Sequence, residues 1–71
     1  MKALITVESG KVFQMDTRAL VLTSIDQSGK PVGTRRLQQA SMVAPGLPLV
    51  LAENNGSEIA EGTIVQVIYS Q

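Results

Sequence analysis

Two Ser-Gly-Lys triplets, Ser9-Gly10-Lys11 and Ser28-Gly29-Lys30, are the first residues here that could do chemistry, because a Gly-Lys after a strand is how a phosphate-binding loop ends. That loop also needs a glycine five residues before the Gly-Lys and a hydroxyl directly after it. Val12 and Pro31 stand where the hydroxyl belongs, so both triplets read as hairpin turns carrying an exposed lysine. With no histidine and no cysteine, the chain lacks the commonest general base, the thiolate nucleophile and the usual soft metal ligands. Acid–base work would fall to carboxylate pairs. Asp16 and Asp26 bracket an apolar stretch, and on a straight strand they would stand roughly 30 Å apart, far too wide for a glycosidase-type pair. The acids read more simply as turn caps or solvated charges. No catalytic residue, cofactor site or metal site is expected.

The basic residues are the other chemical candidates. Lys11, Arg18, Lys30, Arg35 and Arg36 could form a patch for nucleic acid or an acidic partner. A small barrel that binds single strands combines such a groove with aromatic stacking, and here only Phe13 and Tyr69 could stack. Arg35-Arg36 beside Gln38-Gln39 could reach phosphate and base edges from a helix start, although an exposed polar face explains them as well. The net charge is zero, which removes any general pull toward phosphate. Its distribution is uneven: residues 1–36 hold all six basic groups and three acids, while residues 37–71 hold three glutamates, Glu53, Glu58 and Glu61. If folding kept these halves on separate faces, one copy could attract the next; a sheet that interleaves them would erase the effect.

These candidates must be positioned by strands. Ala3 to Val7 is short, β-branched and closed by Ser9-Gly10, and Lys11 to Met15 returns as a second strand. After a break at Asp16-Thr17, Arg18 to Ile25 is apolar on both faces, as in a central strand. Asp26 to Pro31 is the strongest turn, since Asp and Ser bond their own backbone and Gly supplies a positive φ. Leu22 to Val32 as a whole resembles the strand, Asp-x-x-Gly-x-Pro turn and return strand of many β domains, split-barrel flavin proteins among them. The likeness spans about a dozen residues and is a hairpin solution, so no flavin is inferred from it. Pro31 cannot donate to a ladder, which places the start of the next strand at an edge.

Residues 34–44 lack β alternation and contain tolerable helix formers, with Thr34 as an N-cap and Pro45-Gly46 as a stop; this predicts one short helix. The competing reading extends the hairpin through Thr34 to Leu37 and leaves the rest as loop. Leu49 to Ala52 is a further strand, and Asn54-Asn55-Gly56 predicts a type I′ hairpin turn. Glu61-Gly62 interrupts the return before Thr63 to Tyr69, the run of highest β-propensity. Left as a bare edge that run would aggregate, so it should be paired inside a closed sheet or against a second chain. The weak echo between Glu8-Ser9-Gly10-Lys11 and Gln27-Ser28-Gly29-Lys30 needs only turn chemistry.

The expected fold is therefore mainly β: residues 1–71 as a single small β domain, a closed barrel or sandwich of five or six short strands, with the option of a short helix near residues 35–44. A chain of 71 residues buries only about 60% of its unfolded surface. Lacking cysteine and histidine, it must supplement that core by association, and Ile64, Val65, Val67, Ile68 and Tyr69 are the candidate self-association edge. The expected role is a non-enzymatic structural or protein-interaction module that forms homo-oligomers, of the kind found among small accessory or assembly proteins of phages and mobile elements. The alternative is a small β-barrel that binds nucleic acid through its Lys/Arg patch. Neither a signal-peptide apolar run nor a membrane-spanning run occurs, so a cytoplasmic location without membrane contact is expected.

Overall fold

The computed structural model describes residues 1–70 as six antiparallel strands: β1 Lys2–Val7, β2 Val12–Asp16, β3 Val21–Ile25, β4 Pro31–Ala40, β5 Pro48–Glu53 and β6 Glu58–Ser70. Each pairs with its neighbours in sequence, and β6 returns to pair with β1, so the sheet closes into a barrel. Period-2 alternation decides what lies inside. Ala3, Ile5 and Val7 of β1, Phe13 and Met15 of β2, Leu22 of β3, Leu37 of β4, Leu49 and Leu51 of β5 and Ile64 of β6 form the buried core. Leu20, Ala40, Val43 and Val67 pack against it.

Three of the five connections are the same turn, which is why the sequence echoes itself. Gly10, Gly29 and Gly56 each donate to the carbonyl three residues back, Val7, Asp26 and Glu53, and each has φ near +90°. A second bond, from the N–H of Val7, Asp26 or Glu53 to the carbonyl of Lys11, Lys30 or Ser57, then closes the hairpin. This is a type I turn followed by a left-handed glycine. It corrects the type I′ expectation at Asn54-Asn55-Gly56, since neither asparagine has positive φ. These three turns lie at one end of the barrel; the other two connections lie at the opposite end.

Asp26 shows how side chains hold the second of these turns. Its Oδ1 accepts the Ser28 hydroxyl (2.7 Å) and the Ser28 and Lys30 N–H groups (both 2.9 Å). The Ser28 hydroxyl first, then the Lys30 amide, hold its carboxyl below the ordinary 3.8. Asp16 is lowered likewise by the Ala19 and Arg18 amides that cap its loop. A carboxyl depressed on folding contributes stability above its unfolded value and loses it as pH falls through the folded one. Stability should thus hold from neutrality to about pH 4 and decline below it. Asp26→Asn, which keeps the acceptor, should flatten that acid limb in urea melts. An unchanged slope would show that Asp26 does not set it.

No helix forms near residues 35–44. Residues 35–40 belong to β4, because Arg35 and Arg36 pair with Leu22 and Val21 of β3 while Leu37 and Ala40 pair with Glu53 and Leu51 of β5, and residues 41–44 enter the following loop. Thr34 pairs with Thr23 instead of capping a helix, and the two hydroxyl oxygens lie 3.4 Å apart. The helix propensity of an Arg/Gln/Ala segment is small beside burial of Leu37 and two ladders of hydrogen bonds. The hairpin-extension reading holds for Thr34 to Leu37, and the strand continues three residues further. Pro45-Gly46 stops no helix; it makes a type II turn, with Gly46 at φ 89° and the Leu47 N–H donating to Ala44 O. Nor does Arg18 begin β3: residues 17–20 are a loop in which Leu20, at φ 55°, donates to Asp16 O.

Two long strands bend so that the ring can close. β4 pairs with β3 over Pro31–Arg36 and passes to β5 at Leu37, where the register shifts. β6 pairs with β5 through Thr63 and with β1 from Ile64, with shifts on both sides. Bulges at these hand-overs provide the bend. Gly62, at φ 108°, lies in this region, so Glu61-Gly62 bends the strand without interrupting it.

Candidate functional site

Arg35 is the one basic side chain of the sequence-derived patch that the fold engages. It sits two residues before buried Leu37, on the inner side of β4. Its guanidinium donates to Glu53 Oε1 of β5 and Glu61 Oε2 of β6, both at 3.3 Å. The side chains of Arg35, Glu53 and Glu61 are 36%, 26% and 14% exposed, so the cluster plugs the barrel and ties β4 to both strands beyond it. Two carboxylates on one cation leave no free positive charge there. Arg35→Met keeps the stem and strands the two acids. It should lower stability by about 1 kcal/mol, read as an earlier urea midpoint, because each partly exposed pair is worth little alone but the change leaves two carboxylates side by side without their cation. Adding Glu53→Gln and Glu61→Gln should recover part of the loss; no loss in Arg35→Met would make the cluster energetically idle.

The other four basic residues are dispersed. Lys11 and Lys30 belong to adjacent hairpins at one end, Arg18 lies in the β2–β3 loop at the other, and Arg36 stands beside Val21 on the outer wall. A shallow depression between the first two hairpins, lined by Ser9, Gly10, Lys11, Val12, Ile25, Asp26 and Gln27, brings only Lys11 next to an acid-bearing turn. Asp16 and Asp26 fall at opposite ends of β3, and five residues from Val21 to Asp26 span about 17 Å. That is shorter than the fully extended expectation because β3 is shorter, and still too wide for paired carboxylate chemistry. Among the described residues no cluster of three or more His, Cys, Asp or Glu side chains could hold a metal. Among the described residues no helix is long and apolar enough to cross a membrane.

The candidate self-association residues divide by face. Ile64 is fully buried and Val67 packs on the core, so neither is available to a partner while the barrel is closed. Val65, Ile68 and Tyr69 are each about half exposed. Tyr69 Oη donates to Val43 O at 3.0 Å, which fastens the end of β6 to the β4–β5 loop. β6 pairs with β5 through Thr63 and with β1 from Ile64 onward, and the alternation along the β1 ladder turns one set of its side chains outward as a face. On that face Ile68 lies directly opposite Leu4 of β1, itself exposed, and Val65 sits where the register shifts. Leu4 escaped the sequence reading because its strand was read singly; the signal is the cross-strand pairing, which needs the register.

No family model matches this chain, and no curated protein or solved structure does so significantly.

Proposed function

We propose that this chain is a non-enzymatic interaction module that pairs with a second copy of itself through the outer face of the β1–β6 closure. The observation that carries the reading is the Leu4–Ile68 pair with Val65 on the same face, three apolar side chains left open to solvent on a domain with a small aliphatic core. Around them the outward residues are uncharged Thr6, Gln66 and Ser70, with Lys2 at one end. That is the anatomy of an apolar centre with a polar rim.

A two-fold axis through this face sets the pair against its own copy, and a chain of zero net charge meets no overall repulsion in doing so. A stable interface covers about 800 Å² per partner, roughly one sixth of the 4638 Å² surface, so the three side chains are its centre and the adjoining wall its rim. Light scattering coupled to size-exclusion chromatography tests the reading. The mass should rise from 7.6 kDa toward twice that value as concentration increases through the micromolar range. A constant 7.6 kDa at high concentration overturns it. Nucleic-acid binding has less support, since Arg35 is neutralised and the remaining basic groups are scattered.

A further inference from the structure

The barrel is closed, yet its two long strands leave open edges where they change partners, and one of these lies in β4. Pro31–Arg36 of β4 pairs with β3 alone, because β5 joins β4 only from Leu37 onward and its chain then turns away at Asn54-Asn55-Gly56. The direction of the unpaired groups follows from one bond. Leu37 N–H donates to Leu20 O beside β3, and the register continues through Arg35 opposite Leu22 and Gly33 opposite Ser24. By strand alternation Leu37, Arg35 and Gly33 face β3, while Thr34 and Arg36 turn their backbone groups the other way. An unpaired row of donors and acceptors is a template for another strand. A shallow depression lined by Arg35, Arg36, Glu53, Asn54 and Asn55 marks where such a strand would abut the β5–β6 turn.

We infer that this edge receives an extended acidic segment of a partner protein, which adds a short strand beside Thr34 in line with β5. Charge selects the occupant. Of the acids near the edge, Glu53 and Glu61 face inward on Arg35 and Asp26 is held by the Ser28 and Lys30 groups of its own turn, whereas Lys30 and Arg36 stand exposed at its two ends. A docked strand places its outward side chains next to exposed Val32, Thr34 and Arg36. An acid opposite Arg36 and a β-branched residue opposite Val32 fit that row. A second copy fits less well, since antiparallel pairing of two β4 edges brings together two sets of Lys30 and Arg36. This surface is separate from the Leu4–Ile68 face, so either can fail alone.

The edge predicts an unusual tolerance. Thr34→Pro removes an N–H that β3 does not use, and the preceding residue is Gly33, which suffers least before proline. Thr34→Val keeps the N–H and the shape. The probe is a synthetic nine-residue peptide alternating Glu with Thr and Val, titrated by amide NMR against a counterpart with Lys for Glu. The acidic peptide should give saturable shifts confined to Pro31–Arg36 and slow exchange of the Thr34 and Arg36 amides. Thr34→Val should bind within about twofold of wild type, and Thr34→Pro and the Lys peptide at least about tenfold more weakly. Should Thr34→Pro fail to fold, the amide protection in the wild-type chain decides alone. Equal binding of both peptides, shifts elsewhere or no binding overturns the inference. So does Thr34 protection that grows with protein concentration alone, which would assign the edge to a second copy.

Discussion

Ile68→Lys is expected to leave the barrel folded and to weaken its self-association by roughly 30-fold, the effect of losing about 2 kcal/mol at the centre of an interface. Ile68 points outward and is half exposed, and lysine keeps the backbone N–H and C=O that pair with β1, so its replacement leaves ladder and core in place. Changes of that kind shift stability by about 0.5 kcal/mol or less. Facing its own copy across a two-fold axis, the lysine would meet Leu4 and Ile68 of the second chain and lose its hydration without gaining an acid. Sedimentation equilibrium on both proteins at matched concentrations gives the comparison. If Ile68→Lys associates as strongly as the parent, the β1–β6 face is not the contact.

Leu51→Ala should remove a large part of the domain's stability. Leu51 is fully buried and is held from both sides, by Ala40 of β4 and Ile59 of β6. Removing three carbons from such a site costs about 2–5 kcal/mol in lost transfer energy and cavity. Domains of this size hold only about 5 kcal/mol or somewhat more in total. At about 4–8 °C per kcal/mol, the melting temperature should fall by at least about 8 °C. Circular dichroism melts of Leu51→Ala beside the exposed control Val32→Ala in β4 separate a core effect from a general loss of apolar strand residues. A drop of less than 2 °C in Leu51→Ala would mean that the β4–β5–β6 side is not packed as described.

Much of this fold is legible in the residues alone, for physical reasons that differ from strand to strand. Ala3 to Val7, Leu49 to Ala52 and Thr63 to Tyr69 are strands in the sequence because β-branched alternation and glycine turns act locally. The expectation that Thr63 to Tyr69 be paired inside a closed sheet is met along one side, by β1, with β5 joining at Thr63. Pro31 marked a true edge, since a residue without N–H can only begin an unpaired side. Residues 34–40 misled because Arg, Gln and Ala carry a weak helical preference, whereas their strand state is imposed by Leu22, Leu51 and Glu53 from elsewhere in the chain. The basic patch did not survive folding as a patch: Arg35 turned inward to two glutamates that lie eighteen and twenty-six residues away. The Leu4–Ile68 face was hidden for the same reason, as it exists only once distant strands align.

Every ladder but one joins strands that follow each other in the chain; the exception sets Lys2 against Ser70 and Leu4 against Ile68. Hairpins zip over a few residues, but that last ladder must gather some sixty, an entropy cost about 2 kcal/mol above closing a five-residue loop. Since this cost falls before its contacts repay it, closure of the ring is the step expected to set the folding speed. Val67→Ala, which thins the core next to the closing ladder, should then slow refolding in stopped-flow mixing by nearly its full equilibrium effect. A change confined to the unfolding rate would place closure after the barrier.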